Sequence, residues 1–531
     1  VLVEALVVNG ILAGLSRRRW LIVITCLGLI ALAAVLFNMG PRVFSGDSDT
    51  ATLVLQAKAV NAGNPLLAGW RMLYDSFLTI EVPFYSATLP FLGPHLVLNY
   101  LIPAVLAAAT VALACALARN GSKGSAALAA MATTFIVLGL PAGAWASIFL
   151  RGAWHIGTLL FCLSAFALLR RATFGWSFAA AVLLLALGLL GDLQTLPLGV
   201  APILGAGVIA TIALRRWLGG MVWLAAGFGS VVLALILRQV FKVLGTYDIG
   251  TLNPHASGAQ MVQNLHNLPR WIFMVFGTSN AQFGYSGVPG WLLATRAAAT
   301  AAIIVVVVWT VVRIARSLVL GEREVGGWVL DTMLMLGVAA TLAFFVWSTL
   351  SNDQQYVRYL AGVVIFGSVL TGRTVAMAWG TSIVRPLIIG ALVIFGGLYA
   401  TATLLINVHS AAPAAASDLS AFLKRHHLTQ GIGGYWDSSV TTVQSGGAVT
   451  IRAVTVDPQG RIVRYTHQSS DAWYDGVPFQ FLVYDDNLPE LVKTDQPAVA
   501  TFGAVQQSYT VGHYRILTWG HPIYVPALPG Y

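Results

Sequence analysis

The sequence predicts a mainly α-helical, polytopic membrane protein of about eleven spans with a small C-terminal α/β domain outside the bilayer. Three observations lead there. Apolar residues make up 57% of the 531 residues and charged ones only 9%, where a soluble globular chain carries about a quarter charged. Apolar runs long enough to cross about 30 Å of hydrocarbon recur through the first three quarters. Beyond His409 the pattern changes to short β-branched and aromatic runs bounded by Gly, Pro and Asp.

Residues 1 to 38 read as a retained first helix, because the apolar stretch after Arg19 is long and no small-residue cleavage pattern closes it. The clearest spans are Leu21 to Asn38, Phe174 to Leu190, Ala297 to Val312 and Leu387 to Asn407. Between the spans lie short positive connectors: Arg17 to Arg19, Arg119 with Lys123, Arg170-Arg171, Arg215-Arg216, Arg313 to Arg323, Arg373 and Arg385. By the positive-inside rule these face the cytoplasm, which puts the N-terminus inside. Outward loops then begin near Pro41, Arg151, Asp192, Arg238 and Asn352, and the C-terminus leaves the membrane outward. The formal charge of +10 is therefore a topology signal. No basic patch with interleaved aromatics suggests a nucleic acid partner.

Two long loops, 40 to 95 and 238 to 290, fall outside. In the first, Leu53, Val54, Ala57 and Val60 lie opposite Thr52, Gln56 and Asn61, which predicts a short amphipathic helix at the membrane interface, ended by Gly63-Asn64-Pro65. The transmembrane module is assigned to 1–410 and the extracytoplasmic domain to 411–531. That domain is expected to hold a helix from Ser417 to His427 and strands at Val449 to Val456, Arg461 to Thr466, Pro478 to Tyr484 and Tyr509 to Trp519. Its lack of cysteine leaves no disulfide framework there.

Ionisable groups beside spans are costly and mark candidate sites. The densest group is Gly46-Asp47-Ser48-Asp49-Thr50, directly after the first span. Asp and Ser before a helix are ordinary N-caps, but one Asp suffices as a cap, and the other is then available as a general base toward an acceptor hydroxyl. Asp75, Glu81 and Tyr85 in the same loop, and Asp192 at a later outward turn, are candidates for contacting the acceptor; facing water is the alternative for Asp75 and Glu81, and capping the next helix or pairing with one of the outer arginines is the alternative for Asp192. Arg151, His155, Arg238, Lys242, Arg270 and Arg358 sit on the outward side against the charge bias, where a phosphate or an anionic headgroup would explain them. Pairing with Asp353 is the alternative for Arg358. The histidines are too scattered to name a metal site, and no HExxH occurs. A divalent ion shared by Asp47 and Asp49 is retained as an alternative. Aromatics such as Tyr435-Trp436, Trp473-Tyr474 and Trp519 serve either as core or as stacking surfaces for sugar.

This arrangement resembles the GT-C glycosyltransferases: an acidic motif after the first span, an interfacial helix in the first outer loop, outer cations and a C-terminal outer domain. The superfamily includes protein O-mannosyltransferases, the lipid A aminoarabinose transferase and actinobacterial arabinofuranosyl- and mannosyltransferases. Gly46-Asp47-Ser48-Asp49 matches the family's first-loop acidic motif in position, and the resemblance implies a catalytic base at Asp47, with Asp49 second. The Asp-Glu pair of several members is absent. Arg358-Tyr359-Leu360 looks like the family's donor-phosphate region. The activity so implied is inverting transfer of a sugar from a polyprenyl phosphate to a glycan, lipid or protein acceptor at the outer face of the cytoplasmic membrane. Two rivals stand beside it. A transporter or flippase should show polar, broken helices at the bilayer midplane, whereas here the charge gathers at the outer face. A non-enzymatic scaffold would tolerate loss of both Asp47 and Asp49.

Overall fold

The computed structural model describes residues 2–212, 217–249, 255–279, 288–320, 328–349, 351, 354–411, 414, 416–487 and 495–527. Arg215, Arg216, Arg323, Asn352 and Asp353, which the sequence reading invokes, lie outside them.

Long apolar stretches become helices because only intrasegment hydrogen bonds satisfy a backbone away from water. In order these are α1 (Leu2–Val43), α2 (Ser48–Asn61), α3 (Val82–Leu92), α4 (Leu98–Ala118), α5 (Gly124–Gly139), α6 (Gly143–Phe149), α7 (Ile156–Leu169) and α8 (Trp176–Gly191). A π turn, Leu196–Val200, leads into α9 (Ala201–Ile212), followed by α10 (Trp217–Val243), α11 (Gly258–Val275), α12 (Gly290–Leu320) and α13 (Trp328–Trp347). A 3-10 turn, Gln354–Leu360, opens α14 (Ala361–Ala378), and α15 (Val384–Val408) completes the bundle.

Among the described residues, seven helices are long and apolar enough to cross a membrane, or eight if α5 and α6, which meet at 87°, form one broken span. Three shorter apolar segments, Ile156–Leu169, Trp176–Gly191 and Leu196–Ile212, pack among them.

The amphipathic interfacial helix is corrected. α2 occupies the predicted place, but it is buried nearly all round: Leu53, Val54 and Ala57 are inaccessible, and so are Thr52 and Gln56 on the supposedly wet side. It packs against α3 on one side and against the C-terminal domain on the other. The polar stripe meets protein: the Thr52 hydroxyl lies 3.0 Å from Ser439 Oγ, and the Ser48 hydroxyl donates to the Trp436 carbonyl at 2.9 Å.

Strands β1 (Trp70–Met72) and β2 (Asp248–Ile249) come from the two long loops, and β3 (Gln430–Gly433), β4 (Thr450–Val456), β5 (Ile462–Arg464), β6 (Ser469–Ser470), β7 (Phe479–Asp485), β8 (Gln507–Val511) and β9 (Tyr514–Ile523) from the C-terminal domain. The main sheet runs β5-β4-β3-β7-β9-β8, with β3 parallel to both β4 and β7. Helices α16 (Ser417–Arg425), α17 (Tyr435–Gln444) and α18 (Gln496–Phe502) accompany it. The predicted strand at 509–519 is instead a hairpin, β8 and β9, turning at Gly512 in the left-handed region (φ +58).

A second sheet, β2-β1-β6, joins three distant segments. Arg71 pairs with Asp248 in parallel register, and Trp70 pairs with Ser470 in antiparallel register. Both outer loops and the C-terminal domain are thus bound to one another beside the bundle.

Candidate active site

The site grows from the turn between α1 and α2. Asp47 has extended backbone (φ −151°), and its carboxylate accepts the Thr50 N–H at 2.9 Å, the N-cap role expected of one of the two aspartates. Its other oxygen forms an ion pair with Arg151. Both carboxylate oxygens of Asp47 are engaged.

Asp49, two residues on, is placed differently. The Tyr435 hydroxyl, from the first turn of α17, donates to Asp49 Oδ1 at 2.6 Å, and Gln468 Oε1 lies 2.9 Å from the same hydroxyl. Burial holds the Asp49 carboxyl above the usual aspartate range, against the pull of the Arg358 charge and the Tyr435 hydrogen bond. A carboxylate whose proton affinity is raised is a better base than one locked to a guanidinium.

The cations come from the loop between α6 and α7 and from the turn before α14. Arg151, 5% exposed, lies with Cζ 3.8 Å from the Trp154 ring and 4.5 Å from Phe44. Arg358 approaches the same Trp154 at 5.0 Å and its own neighbour Tyr359 at 5.2 Å. Two guanidinium groups thus lie close to one indole. Beside them His155 packs against Tyr359, ring centroids 5.1 Å apart, and Phe77, 5.7 Å apart. His155 Nδ1 is 2.7 Å from Asp192 Oδ2, while its Nε2, Trp154 Nε1 and Arg358 Nε are buried without hydrogen-bond partners among the described residues. Buried polar atoms left unmatched are costly and mark a place where a polar ligand would satisfy them.

Asp192 and Glu81 are corrected from acceptor ligands to supports. Asp192 is 1% exposed; it takes the His155 ring and the Thr158 hydroxyl on one oxygen and the Gln194 N–H at 2.9 Å on the other, which leaves no face for a substrate. Glu81 is fully buried and accepts the Ala153 N–H at 3.0 Å and the Gly157 N–H at 3.3 Å. It pins both ends of the segment carrying Trp154 and His155, where Ala153 (φ +59) and His155 (φ +71) are left-handed. Burial raises its carboxyl to about 7, the two N–H groups opposing. Tyr85 is corrected too. It is inaccessible and lies under Gly152, where any Cβ would come within 2.5 Å of its hydroxyl.

Asp75 lies near enough to the group to feel its charges. It is partly buried, its carboxyl raised by burial while the charges of His155 and Arg358 draw it down. Three expected phosphate ligands are not joined to it. Lys242 and Arg270 are exposed on α10 and α11, Arg270 lying 5.0 Å from the Trp271 ring, and Arg238 acts on Tyr247. Among the described residues no contact joins these three to the cluster around Arg151 and Arg358.

Among the described residues no group of three or more His, Cys, Asp or Glu side chains could hold a metal ion. Among the described residues Asp47 and Asp49 have no third acidic or histidine partner, and Asp47 is already neutralised by Arg151. Sequence reasoning missed Trp154 and Thr158, and it read Tyr435 as core or as a stacking ring, not as a hydroxyl donor. Trp154 carried a signal, a Trp between Arg151 and His155; Thr158 and the Tyr435 hydroxyl carried none before the fold brought them in.

No family model matches the chain, and no curated protein matches it. Among solved structures it is similar to ArnT from Cupriavidus metallidurans in the apo state, at 13% identity and a TM-score of 0.55 over 94% of this chain and 98% of that one. It is also similar to the same protein bound to undecaprenyl phosphate, at 12% identity and a TM-score of 0.53, covering 93% of this chain and 97% of that one. A weaker likeness is to the Archaeoglobus fulgidus oligosaccharyltransferase, at 12% identity and a TM-score of 0.48 over 94% of this chain and 73% of that one. The chain has the GT-C fold, with its helical membrane bundle and C-terminal sheet domain.

Proposed function

We propose that this multi-pass membrane protein is an inverting glycosyltransferase that moves a sugar from a polyprenyl phosphate to a glycan, lipid or protein acceptor. The observation carrying it is the meeting, where bundle and C-terminal domain join, of a carboxyl of raised proton affinity, Asp49, with buried donors that have no partner among the described residues, Arg358 Nε and Trp154 Nε1. The donor's phosphate satisfies those donors, and its prenyl tail lies in the bilayer. In keeping with this, ArnT, of the same fold, has been crystallised with undecaprenyl phosphate. The N-terminus is cytoplasmic and the C-terminal domain extracytoplasmic, in the orientation the positive connectors require.

The acceptor hydroxyl gives its proton to Asp49 as its oxygen attacks the anomeric carbon. The bond from that carbon to the phosphate oxygen breaks, and the electron pair leaves on the lipid phosphate. Arg358 and the Trp154 indole N–H face the charge that develops there, and their fixed positions make that stabilisation effective. Arg151, paired with Asp47, stiffens the turn that holds Asp49. One base and one leaving group on opposite faces give inversion, in contrast to the paired carboxylates of retaining hydrolases. Base and leaving-group stabiliser are thereby assigned to Asp49 and Arg358, and Asp47 passes from first candidate for the base to the residue that orients it.

The test is release of polyprenyl phosphate from a panel of polyprenyl-phosphate sugars with a crude envelope acceptor. Asp49→Asn should lower turnover by about 10²–10⁴-fold, the usual contribution of general-base catalysis, with donor binding retained. Arg358→Gln should weaken donor binding as well. Full activity in Asp49→Asn would move the base to Asp47. No turnover and no polyprenyl phosphate binding by the wild type would favour a transporter or a scaffold.

A further inference from the structure

A second polar cavity, of about 180 Å³, opens where the first long loop meets the C-terminal domain, between Arg71 of β1 and Arg464, Tyr465, Thr466, Asp471 and Asp475. Its walls are two ion pairs, Arg71 with Asp471 at 3.3 Å and Arg464 with Asp475 at 2.7 Å. The charges cancel, unlike those of the Arg358 cluster, so the lining suits neither a phosphate nor a metal ion. Its lining sets guanidinium donors beside carboxylate acceptors with the Tyr465 ring among them, the pattern that meets the alternating donors and acceptors of a neutral polyol and the apolar face of its ring. The space gives room for a single sugar unit.

The cavity is also connected to the site. Tyr465, one of its lining residues, stacks on Tyr435 with ring centroids 5.0 Å apart, and Tyr435 holds Asp49. The pairing of β1 with β6 closes the cavity's frame, so it exists only when the outer loop and the C-terminal domain are joined.

The geometry points to a carbohydrate subsite here, binding a neutral sugar unit of the acceptor glycan next to the one whose hydroxyl reaches Asp49. This rests on the transferase reading for its role in catalysis, while the binding itself does not. Among glycan, lipid and protein acceptors it selects the glycan class.

The experiment is saturation-transfer NMR on the full-length protein in detergent, with methyl α-mannoside, methyl β-glucoside, methyl β-galactoside, methyl α-arabinofuranoside and inorganic phosphate as probes. At least one glycoside should bind to the wild type. Its signal should fall at least tenfold in Asp475→Ala, which removes an acceptor at the rim, and in Thr466→Trp, which fills the space, with both variants keeping the wild-type melting temperature. If one variant fails to fold, the other decides. Glycoside binding unchanged in the folded variants, displacement of the glycoside by phosphate, or no glycoside bound by the wild type overturns the subsite. Failure of the transferase reading shows separately, as absence of polyprenyl phosphate release with glycoside binding intact.

Discussion

Glu81 shows how one residue can shape a site without entering it. Its carboxyl rises from 4.5 to about 7 chiefly through burial, so the folded state holds its proton where the unfolded chain has released it. For an acid raised in this way, the stability is full below pH 4.5, falls as the pH climbs toward 7 and levels off above it. Across that window the loss is on the order of 3 kcal/mol. Glu81→Gln removes the titration while keeping one acceptor for the Ala153 N–H, so its melting temperature should lose this decline between pH 4.5 and 7. A decline of wild-type size in Glu81→Gln would place the titration elsewhere. Sequence could show a carboxylate at 81 but not that two left-handed residues 72 and 74 positions away need it, because the contact joins the residue before α3 to the loop between α6 and α7. Asp47 and Asp49 illustrate the opposite. Their spacing alone marks one as a cap, and the partners brought by Arg151 and Tyr435 decide which.

At the scale of elements, the apolar helices were legible because hydrophobic length is a strong signal, and strands β4, β5 and β7 because β-branched runs ended at turn residues. Strand β3 was invisible. It lies at the sheet's centre yet reads Gln430-Gly431-Ile432-Gly433, and glycine argues against a strand when seen alone. The structure gives the reason for both glycines: a Cβ at Gly431 would come within 2.2 Å of the Phe481 ring, and one at Gly433 within 2.8 Å of Val483. Gly431→Ala should therefore overpack the sheet and cost roughly 1–3 kcal/mol, visible as a lower melting temperature. Gly397→Ala in α15, where a Cβ would meet open space, provides the control and should be neutral or slightly stabilising. Equal melting temperatures for the two variants would show that the β3–β7 contact has slack.

For the molecule as a whole, the change of composition near residue 410 marks a boundary that the packing does not respect. A single hydrophobic core runs from Leu36 and Leu53 through Leu419, Val440, Phe481 and Ile516. The C-terminal domain therefore completes the site as well as covering it, and Tyr435 is where the two parts meet chemically. Removing its hydroxyl has two consequences of known sign. The hydrogen bond from Tyr435 lowers the proton affinity of Asp49, so in Tyr435→Phe that carboxyl should titrate higher still, and activity that needs it deprotonated should appear only at higher pH. The position of Asp49 should also loosen, and a misplaced base costs rate even at the optimum, by up to about 10²-fold. The pH–rate profile separates these effects: the acid limb moves to higher pH and the plateau drops. A lower plateau with an unmoved acid limb would mean that Tyr435 supports the fold alone, and that the group titrating in turnover is not Asp49.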